Sequence, residues 1–146
     1  MEQPDRYEAL RLSNQLCFPL YAASKEVVRR YKPWLDPLGL TYTQYIAMLA
    51  LWERRELSVK ELGQLLWLDS GTLTPVLKKL EQKGYVARRR SGEDERSVIL
   101  TLTPAGEALR EAALSVPAGL GACVRLSAPE AAELYRLLYK LLEAMD

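Results

Sequence analysis

Leu57-Ser58-Val59-Lys60-Glu61-Leu62-Gly63-Gln64-Leu65-Leu66 opens the stretch, Leu57 to Thr103, whose reading decides the fold. Ser58 with Glu61 three residues on is a capping box, so a short helix starts here. Trp67-Leu68-Asp69-Ser70 reads as a turn. A second helical run follows through Thr72, Leu73, Val76, Leu77 and Leu80, and Gly84 ends it. Apolar residues at 73, 76, 77 and 80 keep the helical period. The residues between them, Thr72, Thr74, Lys78, Lys79, Gln82 and Lys83, form a polar, cationic face of the kind that lies in a DNA major groove. Tyr85-Val86-Ala87-Arg88-Arg89-Arg90 and Ser97-Val98-Ile99-Leu100-Thr101-Leu102 flank the charged turn Ser91-Gly92-Glu93-Asp94-Glu95-Arg96, which predicts a hairpin. Helix, turn, helix and basic hairpin make a winged helix-turn-helix. A helical domain with an incidental hairpin is the bland alternative; order, spacing and charge together favour DNA binding.

The rest of the chain fits around this unit. Its 146 residues, 49% of them hydrophobic, suit one domain with an oligomerisation arm, and the net charge of +1 makes any basicity local. Seven Lys or Arg stand against four acids between Lys78 and Arg96, while four bases face six acids from Ala105 to Asp146. The DNA face therefore belongs to the middle of the chain. No apolar run reaches membrane-spanning length and no signal-peptide pattern is evident, so a cytoplasmic protein is expected. Without histidine, Ser-His-Asp and Cys-His catalysis and the usual zinc sites are excluded. No phosphate-binding glycine loop is present, and neither a cofactor nor an enzymatic activity is expected. The fold class expected is mostly α (α+β), a single unit over 1–146. Its winged helix-turn-helix covers 42–103, and the helical dimerisation part covers 9–38 and 104–146.

Ala9 to about Leu38 reads as one long helix, with Cys17, Tyr21, Ser24, Val28, Tyr31 and Leu35 on one stripe. Pro19 interrupts it: either the helix kinks beside Cys17, or it starts anew near Phe18 and leaves Cys17 at a helix N-terminus, where a thiolate is favoured. Thr41-Tyr42-Thr43-Gln44 is a second capping box, opening a buried helix to about Glu53; Arg54, Arg55 and Glu56 read as a turn. Thr103-Pro104 starts another helix, Pro117, Gly119 and Gly121 break it, and Ser127-Ala128-Pro129-Glu130 caps the last. That helix carries Leu134, Leu137, Leu138, Leu141, Leu142 and Met145 on one face, more than a small core needs; both termini therefore read as the arm of a homodimer, with a closed monomeric bundle as the alternative.

Two cysteines in a cytoplasmic chain are free or redox-active more often than bridged. An apolar-stripe cysteine is usually packing. Tyr21 one turn from Cys17, with Tyr31 and Tyr42 at the ends of the next connection, makes a second reading equal to it. Phenol hydroxyls can donate hydrogen bonds to a thiolate.

The runs Asn14-Gln15-Leu16-Cys17-Phe18 and Leu20-Tyr21-Ala22-Ala23-Ser24 resemble the N-terminal signature of the organic-hydroperoxide-sensing repressors of the MarR family. So do Tyr31-Lys32-Pro33, Leu40-Thr41-Tyr42, Tyr45, Leu51-Trp52-Glu53, Leu68-Asp69-Ser70-Gly71-Thr72-Leu73-Thr74-Pro75 and Asp94-Glu95-Arg96-Ser97. The resemblance spans nearly the whole chain. It implies a dimeric repressor whose reactive cysteine matches Cys17 and whose cysteine-bonding tyrosines, across the subunit interface, match Tyr31 and Tyr42. It further implies the two-cysteine type, with Cys123 in the region of the resolving cysteine. Pro19 departs from the aliphatic residue of the pattern. On this reading the reduced dimer holds a pseudo-palindromic operator. Organic hydroperoxide oxidises Cys17, an intersubunit disulfide with Cys123 forms, and the DNA is released. The DNA face comprises Ser70, Gly71, Thr72, Thr74, Pro75, Lys78, Lys79, Arg88 and Arg90, with Arg96 at the wing tip oriented by Asp94. Three rivals are a repressor released by a small aromatic ligand, a thiol peroxidase, and a winged helix that binds protein.

Overall fold

The computed structural model describes residues 5–93 and 96–146. Two short 3-10 turns, Glu8–Leu10 and Leu12–Asn14, precede helix α1, Cys17–Arg30. The single helix expected over 9–38 is therefore broken. Pro19 stands in the first turn of α1, where an N–H would have no intrahelical acceptor, so the ring costs nothing there. Of the two outcomes open at Pro19, the new start is the one realised, one residue earlier than Phe18. A four-residue helix α2, Lys32–Leu35, and a 3-10 turn, Asp36–Leu38, lead to Gly39, whose φ of 67° ends the turn in the left-handed region.

Helix α3, Tyr42–Arg54, starts from the complete Thr41/Gln44 capping box and buries Tyr45, Ala47, Met48, Ala50, Leu51 and Trp52. It is the central helix of the core. Met48, Leu51, Leu62, Leu73, Leu77, Leu80, Leu100 and Val116 are the largest fully buried side chains. Each leucine contributes about 1.5–3 kcal/mol by leaving water. Strand β1, Glu56–Ser58, follows, where only a turn was expected. Three residues carry too little alternation to read as a strand; β1 exists because it pairs antiparallel with β3, Leu57 opposite Leu100. Helix α4, Val59–Leu66, opens from the Ser58/Glu61 box, and α5 is Ser70–Gln82. The hairpin expected after α5 forms as β2, Val86–Arg90, and β3, Val98–Leu102, and the sheet order is β1-β3-β2.

Thr103 caps α6, Pro104–Ala112, by accepting the Gly106 N–H at 3.0 Å. The expected break at Pro117, Gly119 and Gly121 is corrected: these residues lie in helix α7, Ser115–Gly121. Pro117 is again in a first turn. Gly119 is a contact residue: a Cβ there would sit 2.3 Å from Trp34 Cε2, so the α7 backbone packs directly on the indole of α2. The last helix, α8, is Ala128–Ala144. Neither α1 nor α8 has a buried residue in the single chain. Leu16, Leu20, Leu134, Leu137 and Leu141 are all exposed. Among the described residues no helix is long and apolar enough to cross a membrane.

Candidate functional site

The α4–turn–α5 unit leaves most of the polar residues of α5 on its outer surface. Trp67 adopts the left-handed conformation, φ 55°, and turns the chain out of α4. Asp69 then caps α5, accepting the Thr72 N–H at 2.7 Å, which holds its carboxyl below the usual carboxylate range. The sequence carries no capping box here, and Asp69, expected in a turn, is the cap; an Asp directly before a helical run is its signal. Leu73, Leu77 and Leu80 face the core, leaving Ser70, Gly71, Thr72, Thr74, Pro75, Lys78 and Lys79 exposed on one surface. The Thr74 hydroxyl donates to the Ser70 carbonyl at 2.7 Å.

The basic residues divide. The Arg88 guanidinium pairs with Glu81 of α5 at 2.7 Å, and Arg89 pairs with Glu56 of β1. Arg88 thus ties the wing to the recognition helix through an acid, and Arg90, two residues on, is exposed. Lys83, expected on the cationic face of α5, instead donates to the Gly39 carbonyl and to Gln44 Oε1. Arg96 is exposed in the turn between β2 and β3. The expected orienting role of Asp94 falls outside the described residues.

Both cysteines are free and exposed. Cys17 is the first residue of α1, and Tyr31 caps its other end. Fourteen residues of helical rise separate them, about 21 Å, so the two cannot touch within one chain. Tyr31 packs instead on Tyr42, ring centroids 4.8 Å apart, and on Tyr45 at 5.7 Å; Tyr42 and Tyr45 lie at 6.5 Å. Tyr21, named with Cys17 on sequence, is no member of this cluster. It is exposed on α1 beneath Lys25, whose ammonium is 5.1 Å from the ring centroid. Tyr21 remains one turn from Cys17 on α1, and Tyr45 is the third ring of the cluster. Its i+3 spacing from Tyr42 was visible, but its position on a nearly all-apolar helix made it look like plain core. Burial pushes the Tyr31 phenol up to about 12, helped by Tyr42 and Tyr45, and raises those two as well. The phenols therefore stay protonated near neutrality and can donate hydrogen bonds. Cys123 lies one turn past Gly119, its Sγ 3.6 Å from the Gly119 carbonyl oxygen. Because α7 rests on Trp34, Cys123 belongs to the Tyr31 end of α1 and not to the Cys17 end.

A recognition helix and a basic hairpin, whose two strands β1 completes as a three-stranded sheet, define a winged-helix transcriptional regulator. The family model for the transcriptional regulator SarA/Rot matches residues 29–112. The organic hydroperoxide resistance transcriptional regulator of Bacillus subtilis strain 168 is 48% identical over 141 residues, 97% of this chain and 96% of that protein. AbfR, solved from Staphylococcus epidermidis, is 36% identical. Its reduced DNA-bound structure superposes with a TM-score of 0.79, covering 97% of this chain and 98% of that one, and its disulfide form with 0.68. A mutant MarR from E. coli, complexed with operator DNA, is 27% identical with a TM-score of 0.81, covering 95% and 99%. The chain belongs to the MarR family, in the branch of the organic hydroperoxide resistance regulators.

Proposed function

We propose that the chain is a cytoplasmic redox-sensing repressor, a homodimer that binds operator DNA when reduced and leaves it when organic hydroperoxide oxidises Cys17. The observation that carries this is the separation along α1. Cys17 and the protonated Tyr31–Tyr42 pair sit at opposite ends of a helix whose exposed face has no partner in the single chain. Two such helices side by side and antiparallel across a dyad bring Cys17 of one subunit to the partner subunit's Tyr31 and Tyr42. The same pairing brings it to the partner subunit's Cys123, which shares that end. The relatives fit: the Bacillus subtilis protein is an organic hydroperoxide resistance regulator, and AbfR has been solved reduced on DNA and in a disulfide form.

The chemistry follows. The Cys17 thiolate attacks the terminal oxygen of ROOH; the O–O bond breaks, and RO⁻ leaves as ROH with one proton from solvent. Sulfur, oxidised by two electrons, carries the hydroxyl as sulfenic acid. The Cys123 thiol then attacks that sulfur, forming the S–S bond and releasing water. One oxidation per subunit suffices, which separates a sensor from a peroxidase with sustained turnover. DNA is held by Ser70, Gly71, Thr72, Thr74, Pro75, Lys78 and Lys79 on α5, and by Arg90 and Arg96 of the wing. Arg88 serves through its pair with Glu81. The DNA-binding part is 42–103 and the dimerisation part 9–38 with 104–146.

A gel-shift assay on the DNA upstream of the protein's own coding sequence tests the reading. The shift should vanish with cumene hydroperoxide and return with dithiothreitol; an indifferent wild type overturns it. One observation favours a second reading, release by a small aromatic ligand. An open cavity of about 740 Å³ lies beside the start of α5, lined by Lys60, Gln64, Trp67 and Ser70 among others. If Cys17→Ser is released from DNA by hydroperoxide as readily as wild type, cysteine chemistry is not the switch and this second reading takes its place.

A further inference from the structure

Lys83 ends α5 inside a Schellman motif. The Tyr85 N–H donates to the Leu80 carbonyl at 3.1 Å and the Gly84 N–H to that of Glu81 at 3.0 Å, with Gly84 at φ 78°. This ending fixes the point from which the Lys83 stem departs. Its ammonium turns back onto the start of α3, donating to the Gly39 carbonyl and, at 3.1 Å, to Gln44 Oε1. Gln44 is the buried polar side chain of the described residues, 6% exposed. The same Oε1 accepts the Thr41 N–H at 3.1 Å, which is half of the capping box of α3. Tyr42 follows Thr41 directly and Tyr45 follows Gln44, so two members of the phenol cluster ride on this cap. A charge-assisted bond thus joins the C-terminal end of the recognition helix to the segment that carries the phenols, across 39 residues of sequence.

We propose that Lys83 is the positioning residue that couples the phenol cluster to the recognition helix. A shift of Tyr42 on oxidation moves the Thr41–Gln44 cap, and Lys83 passes that movement to the end of α5. Two sites coupled through one element must bias it in both directions, so DNA binding also holds the cap in its reduced arrangement. The inference rests on the redox reading above.

The experiment measures operator affinity of the reduced and hydroperoxide-oxidised forms for wild type, Lys83→Met and Lys83→Arg, with Cys17 sulfenic acid trapped by dimedone in parallel. Lys83 is at the surface, so Met keeps the stem without burying a clash. Wild type should weaken on oxidation by roughly 5–150-fold, the usual span of allosteric coupling. Lys83→Met should bind DNA when reduced and label with dimedone as wild type does, yet keep most of its affinity when oxidised. Lys83→Arg, which retains a cationic donor, should recover release. A responsive wild type beside an equally responsive Lys83→Met sinks the coupling alone. Loss of reduced-state binding in Lys83→Met, with dimedone labelling intact, makes Lys83 a phosphate contact and also overturns it. A wild type that ignores hydroperoxide overturns the sensor reading and this coupling with it.

Discussion

At the scale of single residues, Tyr31 is the most perturbed phenol of the tyrosine cluster. Its phenol, moved from 10.0 to about 12 chiefly by burial, ionises only in strong base. A folded-state pKa above the unfolded one contributes stability that is complete below pH 10.0 and is lost as the pH rises through about 12. Phenolate absorbance at 295 nm should therefore show a last titration step in that window, coincident with loss of helical circular dichroism, and Tyr31→Phe should remove it. A Tyr31→Phe protein whose absorbance curve overlays wild type would contradict the assignment. Because a protonated phenol is what a thiolate needs, Tyr31→Phe and Tyr42→Phe should also slow Cys17 oxidation while sparing reduced DNA binding. Stopped-flow sulfenate trapping checks this, and unchanged rates in both variants would remove the phenols from the mechanism.

At the scale of elements, α7 and the wing make separate tests. Gly119 lets α7 approach Trp34 so closely that an added Cβ falls 2.3 Å from the ring. Gly119→Ala should cost about 1–3 kcal/mol by overpacking. It should also displace Cys123, so that the hydroperoxide-induced cross-linked dimer on a non-reducing gel weakens while Cys17 still forms sulfenic acid. A melting temperature and gel band equal to wild type would show that α7 yields freely. On the wing, Arg96→Ala should weaken operator binding by about 1–3 kcal/mol if the arginine contacts a base edge. Equal affinity at fixed salt would leave the DNA contacts to α5.

At the scale of the whole molecule, α1 and α8 carry the apolar faces that the proposed dimer would cover. Leu138 and Leu142 are partly covered in the single chain, and their neighbours Leu134, Leu137 and Leu141 are 46%, 45% and 39% exposed. On the proposed reading, a second copy related by a dyad closes such a face on both terminal arms. The two recognition helices then read half-sites about one helical turn apart, roughly 34 Å. The double variant Leu138→Glu, Leu142→Glu would bury unpaired charge at that face and should be monomeric or unfolded. Light scattering that still reports a dimer would move the interface elsewhere.

Local chemistry alone determined a good deal of this protein. The three capping boxes, the Thr103-Pro104 start, the Gly84 stop and the alternating hairpin are short-range signals, and each produced its element at or within a residue or two of the expected place. Cys17, Tyr31 and Tyr42 stood out through residue type and family resemblance. Tertiary structure decided what depends on partners distant in sequence. Strand β1 forms because β3 lies beside it, and α7 survives its proline and glycines because Trp34 packs on it. Tyr45 joins Tyr31 and Tyr42 because α3 meets the end of α1. Lys83 leaves the cationic face because a buried glutamine 39 residues away accepts a hydrogen bond from its ammonium. Backbone caps and turns are settled within four residues, but the partner of a long charged side chain is settled only when the core closes.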